Sequence, residues 1–264
     1  MFSVRELNTA DQLHELDATW DGLLKHTPGA TFFQSRRWLE TYWQHYSSDS
    51  KKAGEIGPGG LPIRLRVLAV EQNGTLVGIL PLAVSLERYR VGTLRVLGYP
   101  LASWGSFYGP IGSDPAATLA AGLKHIRNSP RDWDLIDLRG IDPQLDQGTT
   151  AAAFRAAGLR CETTAWQASA QIELANGWDV YWNSRKPRWR SNVRRCQRLL
   201  EKIGAVEHVR YRPAGAASGA SDGGSSNSNQ SDPRWDLFDI CVTIADRSWQ
   251  GNSTTGTTMS HETV

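Results

Sequence analysis

An α/β protein built on a mixed sheet is the fold class this sequence predicts, and three observations carry it. Two apolar runs, residues 64–72 (RLRVLAVEQ) and 75–86 (TLVGILPLAVSL), flank Asn73-Gly74, whose tolerance of positive φ marks a tight hairpin. Helical patterns separate some strands and not others, which favours a mixed sheet over a purely parallel one. At 264 residues the chain can fill one large domain or two ordinary ones, each with its own core.

Residues 3–7 open the chain as a short strand. A helix follows over 11–25, with Leu13, Leu16, Trp20, Leu23 and Leu24 on one face. Ser35 caps a second helix whose face is Trp38, Leu39, Tyr42, Trp43 and Tyr46. Residues 47–62, rich in Ser, Lys, Gly and Pro, make a loop before the hairpin. A strand at 92–99 leads into an irregular, glycine- and aromatic-rich segment, 100–112, and Asp114 then caps a helix over 115–127. DLIDLR at 134–139 reads as a buried strand. A short helix at 151–157 ends at Gly158, and a strand over 161–174 closes a first domain of residues 1–175.

Residues 176–264 begin a second domain. After a short helix at 177–183, residues 184–204 (SRKPRWRSNVRRCQRLLEKIG) read as one helix, with Ser184 as cap, Pro187 in the first turn and Gly204 as a left-handed terminator. Trp189, Val193, Cys196, Leu200 and Ile203 line one stripe, the expected contact with a core. Lys186, Arg190, Arg194, Arg198 and Lys202 step by four along the other side, with Arg188 and Arg195 beside them. Only Glu201 offsets them. Like charges four apart repel, so a face of one sign points to an anionic partner; a merely solvated face is the plainer alternative. A strand at 206–212, a disordered low-complexity insertion at 214–232 and a helix at 234–249 complete the pattern. So few elements cannot bury a sheet, and the second domain is expected to be incomplete.

Composition narrows the function classes. Net charge is only +2, so the basic character is local. Cys161, Cys196 and Cys241 form no CxxC and sit near no histidine pair, which argues against zinc and against a disulfide framework; buried, reduced thiols of a cytoplasmic protein are expected. The six histidines are scattered, so no metal site is expected. The charged N-terminus is unlike a secretion signal, and no run approaches the roughly 18 apolar residues of a membrane span. Asp134 and Asp137 fall on opposite faces of their strand, so they form no carboxylate dyad; Asp137 is expected to pair with Arg139. Neither GxSxG nor a P-loop is present. Eleven tryptophans is a high count, and several are expected to rim a groove. Trp104, Phe107 and Tyr108 are the expected pocket wall, with Tyr108 placed to donate to an oxyanion or act as general acid.

Four phrases in this order, FFQSRRWLETYW (32–43), LAVEQNGTLVGILPL (68–82), WDLIDLRGI (133–141) and the basic segment 184–204, resemble the CelD-type acetyltransferases of the GNAT superfamily, relatives of the Fem-type aminoacyl transferases. The resemblance runs from about residue 3 to 260. It implies two GNAT-like domains side by side, the second cut short here. It also implies N-acyl transfer from acetyl-CoA, another acyl-CoA or a related carrier to an amine of an amino sugar, amino acid or cell-envelope precursor. Lys186, Arg188, Arg190, Arg194 and Arg195 would hold phosphate, with Trp182 and Trp189 flanking it and Trp104 on the pocket wall. The alternative is a non-catalytic module whose basic helix docks on RNA or an acidic partner. Two departures stand out. The nearest match to the donor loop of the superfamily, Arg95-Val-Leu-Gly98-Tyr-Pro100, leads into a loop and not a helix. Tyr42-Trp43 also stands where Fem-type enzymes tend to carry a phosphate-binding lysine.

Overall fold

The computed structural model describes residues 2–47, 61–100, 108–165, 168, 172–207 and 235–248. The chain divides into two compact units, Met1–Ser169 and Ala170–Val264. Among the described residues are six strands and nine α-helices, and no helix is long and apolar enough to cross a membrane.

The first unit is organised by one mixed sheet. Its strands are β1 (Phe2–Leu7), β2 (Leu61–Gln72), β3 (Thr75–Tyr89), β4 (Gly92–Gly98), β5 (Ile111–Gly112) and β6 (Leu135–Ile136). They lie in the order β1-β2-β3-β4-β6, with β5 pairing β3. All neighbours are antiparallel except β4 and β6, which are parallel. The β2–β3 hairpin closes as its pattern predicts, Gln72 opposite Thr75, with Asn73 and Gly74 at φ 53° and 78°. A Cβ on Gly74 would meet nothing within 4 Å. Gly74→Val should therefore cost about 1–2 kcal/mol through backbone conformation alone. An unchanged urea midpoint would show that the turn does not demand a left-handed residue.

Strand alternation sorts the core into two layers. Leu65, Val67, Ala69 and Ile79 face α1 (Ala10–His14), α2 (Asp17–Lys25) and α3 (Arg36–Tyr46), burying Leu13, Trp20 and Leu39. Leu68, Leu80, Leu82 and Val84 face α4 (Pro115–Asn128) and α6 (Thr149–Ala156), burying Leu119, Leu123 and Phe154. That second face also carries a charge cluster. Arg66, 2% exposed, pairs with Glu6 and, at 2.7 Å, with Asp132, while His125 of α4 lies 2.9 Å from Glu6.

Several elements differ from expectation for identifiable reasons. The first helix is broken at Glu15 and Leu16 and begins one residue earlier, because Thr9 and Gln12 form a capping box. Residues 134–139 do follow β4, Asp134 N donating to Arg95 O and Asp137 N to Leu97 O, but only Leu135–Ile136 is regular strand. It lies at a sheet edge with Leu135 36% exposed, so it is not a buried strand. Arg95 clamps Asp134 through its backbone N–H and two guanidinium bonds of 2.8 and 3.1 Å, and Asp137 pairs with Arg139 at 2.7 Å. The strand expected at 161–174 is absent among the described residues of that range. The two-residue β6 offers no edge long enough to pair with it.

The second unit contains α7 (Trp178–Ser184), α8 (Pro187–Ile203) and α9 (Trp235–Asp246). The basic segment is two helices, not one continuing from Ser184. Lys186, at ψ 140°, is held extended by the following proline, so Pro187 starts α8 and Ser184 ends α7, its hydroxyl donating to Tyr181 O. Gly204 is extended at φ 170°, not left-handed. The apolar stripe is uncovered: Trp189, Leu200 and Ile203 are 41%, 51% and 85% exposed. Val206 and Glu207 are not in a strand; residues 208–212 and the insertion at 214–232 lie outside the described residues. The cysteines are free, but only Cys161 is half-buried, while Cys196 and Cys241 are exposed.

Candidate functional site

Two places in the molecule collect chemistry, one in each unit. In the first unit a cavity of about 260 Å³ opens where four segments meet: the loop at 28–34, the Tyr99 end of β4, the start of α4, and α5 (Pro143–Asp146) with the first turn of α6. Local sequence explains each wall. Asp114 accepts from Ala117 N and starts α4, Asp142 accepts from Gln144 N and starts α5, and Asp146 accepts from Gly148 N, Thr150 N and Thr150 Oγ1, turning the chain into α6. Gln34 locks the loop: its amide donates to Gly109 O and Pro110 O while its oxygen accepts from Thr31 N. Trp20 Nε1 fastens the same residue, donating to Gln34 O at 3.0 Å. Gly29, at φ 65°, lies so close to Leu145 of α5 that a Cβ there would collide with it.

Tyr99 and Tyr108 stack at the back of this cavity with centroids 4.9 Å apart. Both are buried, at 7% and 3% exposure, and neither hydroxyl has a hydrogen-bond partner among the described residues. Burial pushes both phenols up; the Asp146 charge adds to the shift at Tyr99, and Tyr42 and Tyr99 add to it at Tyr108. Both therefore stay protonated and can donate. Asp114, Asp142 and Asp146 line the cavity, none forms an ion pair among the described residues, and no Lys, Arg or His lines it.

No family model matches this chain, and a search of curated proteins finds no match either. The site is therefore judged on its own geometry.

The second place is α8. None of Lys186, Arg188, Arg190, Arg194, Arg195, Arg198 and Lys202 forms an ion pair among the described residues. Their polar contacts are to neutral groups. Arg190 reaches Asn183 Oδ1 at 3.2 Å, Arg195 reaches Asn192 Oδ1 at 3.1 Å, and Arg198 donates to Arg194 O at 3.4 Å. Lys186 caps the helix through its backbone, its carbonyl accepting from Trp189 N and Arg190 N. Trp178, Trp182 and Trp189 form a ladder with centroid spacings of 5.9 and 5.4 Å, and the Arg194 guanidinium sits 5.6 Å from the Trp182 ring.

The expected residues thus fall into two sets. Tyr108 belongs to the cavity of the first unit. Trp182, Trp189 and the five expected phosphate ligands belong to the α7–α8 surface of the second. Trp104 and Phe107 lie outside the described residues. Arg95 and Gly98, the nearest match to a donor loop, are strand residues paired with Leu86 and Ala83. Sequence reasoning overlooked Tyr99, Gln34, Asp142 and Asp146. A signal that could have found Asp142 was its Asp-Pro helix start, Asp142-Pro143, like that of Asp114-Pro115. Among the described residues no three His, Cys, Asp or Glu are grouped to hold a metal ion.

Proposed function

We propose that this chain is an N-acyltransferase of the GNAT type, moving an acyl group from CoA or a related carrier to an amine. One observation carries the proposal: the cationic face of α8 is not neutralised by the carboxylates of the described residues, so it is free to take the phosphates of a carrier. The mixed sheet with helices on both faces, and the sequence resemblance, agree with it. In such a transfer the amine lone pair attacks the thioester carbonyl carbon and the C–S bond breaks. The thiolate departs, and the nitrogen loses one proton to the thiolate or to solvent. The protein's part is to hold the reactants and to stabilise the oxyanion.

Calorimetric titration with acetyl-CoA tests the reading. One-to-one binding is expected, and Arg190→Glu, Arg194→Glu and Arg198→Glu together should weaken it at least about tenfold. The melting temperature should fall only slightly, because the three side chains form no ion pair among the described residues and their polar and ring contacts stay within α7 and α8. A collapse in melting would make the arginines structural. A second reading, docking on RNA, is favoured by the indole ladder beside the arginines, since bases stack on such rings. It requires binding of a short RNA whose affinity falls by about 0.7 log unit per log unit of salt for each phosphate neutralised. RNA binding of that kind without acetyl-CoA binding would replace the transferase reading.

A further inference from the structure

We infer that α8, with the rings of α7, lies along a bilayer surface rich in anionic lipid, its apolar stripe at the acyl boundary and its cations on the headgroup phosphates. The transferase reading above uses the cationic face alone. It gives the stripe on the other side of the same helix no task, so the two readings stand or fall separately. At 3.6 residues per turn Trp189, Val193, Cys196, Leu199, Leu200 and Ile203 fall within an arc of about 120°. Trp189, Leu199, Leu200 and Ile203 are exposed, and α8 has no buried residue among those described. Several large apolar side chains held together in water mark a surface that something covers.

Charge says what covers it. From Lys186 to Ile203 there are seven cationic side chains and one acid, Glu201. Arg188 and Arg195 fall directly beside the stripe by helical spacing, and both are exposed. A surface seated on the stripe therefore meets guanidinium groups at its border, and these pair with phosphodiester oxygens two bonds at a time. Seventeen residues make a helix about 26 Å long. Its charges bar it from the hydrocarbon core, so it lies in the interface instead of crossing it.

The rings of α7 add an independent mark. Tyr181 lies 5.4 Å from Trp178 at one end of the indole ladder, and guanidinium groups cover two of the rings, Arg185 over Tyr181 at 4.7 Å and Arg194 over Trp182 at 5.6 Å. Indole and phenol rings settle at headgroup depth, where the ring is sheltered and its polar tip stays wet. Other occupants fit less well. A nucleic acid or a soluble carrier phosphate accounts for the arginines and leaves Leu200 and Ile203 in water. A second copy of α8 would cover the stripe but set seven cations against seven. An anionic bilayer meets the stripe, the border cations and the rings together.

The test uses the full chain and two kinds of vesicle, phosphatidylcholine alone and about three parts phosphatidylcholine to one of phosphatidylglycerol. In flotation assays binding to the anionic vesicles should be at least about tenfold tighter than to the neutral ones. Leu200→Asp with Ile203→Asp should weaken it at least about tenfold. The melting temperature and the acetyl-CoA titration should stay as they were, since both side chains are exposed and lie away from the cationic face. Anionic vesicles with brominated acyl chains should quench indole emission, a readout that needs no variant and decides if the double-Asp chain fails to fold. Absence of vesicle binding, equal binding to both vesicles or absence of bromine quenching overturns the inference. So does a folded double-Asp variant that binds as tightly as the unmodified chain, which would leave attraction between charges alone. Short RNA bound without vesicles assigns the surface to nucleic acid, and a dimer in sedimentation without vesicle binding assigns the stripe to a second copy; both overturn it. Acetyl-CoA binding without vesicle binding removes this inference and keeps the transferase reading; vesicle binding without acetyl-CoA binding does the reverse.

Discussion

Arg66→Met is expected to destabilise the first unit by about 3–5 kcal/mol, the characteristic cost of removing one partner from a buried ionic cluster. Arg66 is 2% exposed and joins Glu6 to Asp132, which without it would keep only His125 and Arg64, respectively, as cationic partners among the described residues. Urea denaturation of the variant measures the loss. Replacing Arg66, Glu6 and Asp132 together by apolar residues of matching size should cost far less, because the penalty arises from stranded charge. If the single and triple replacements cost the same, Arg66 acts by packing alone.

The same cluster sets the response to acid. Partial burial works against ionisation of Glu6, and the hydrogen bonds and charges of Arg66 and His125 outweigh it, so the folded carboxyl lies below its ordinary value of 4.5. The unfolded chain therefore binds the proton more readily than the folded one. The stabilisation is complete above pH 4.5 and is lost as the pH falls through the folded-state value. In Glu6→Gln this acid-sensitive part of the stability curve should flatten.

Trp20→Ala is the other large expected effect, about 3–5 kcal/mol for emptying a fully buried indole site. Its consequence should reach past stability. Trp20 Nε1 holds Gln34 O, and the Gln34 side chain in turn holds the loop at 31 and the backbone at 109 and 110, which form one wall of the cavity. Trp20→Phe fills most of the space but cannot donate, so it should keep more stability than Trp20→Ala while still speeding amide exchange at Thr31, whose N–H Gln34 accepts. Unchanged exchange at Thr31 in Trp20→Phe would show that Gln34 holds its place unaided.

Sequence reasoning succeeded where the cause is local. Ser35 accepts from Trp38 N, Asp114 from Ala117 N, and Asn73-Gly74 turns a hairpin, all within three or four residues of the signal. It failed where the cause is distant. The pattern of β2 alone could not show what Arg66 does, because its carboxylate partners Glu6 and Asp132 stand 60 and 66 positions away. The cavity joins residues more than a hundred positions apart, so no window of sequence contains it. The α8 stripe has the spacing of a core-facing helix, but spacing shows only that a face is apolar, not that anything covers it. The fold class and a mixed sheet were legible; Tyr108 was legible as a candidate, and the acids beside it were not.

The tryptophans offer a practical consequence. Trp20 in the first unit is sealed from solvent, whereas Trp178 and Trp235 in the second are 57% and 60% exposed. Trp20 therefore contributes a blue-shifted emission component, and Trp178 and Trp235 a red-shifted one. Iodide should quench Trp178 and Trp235 while leaving Trp20 untouched.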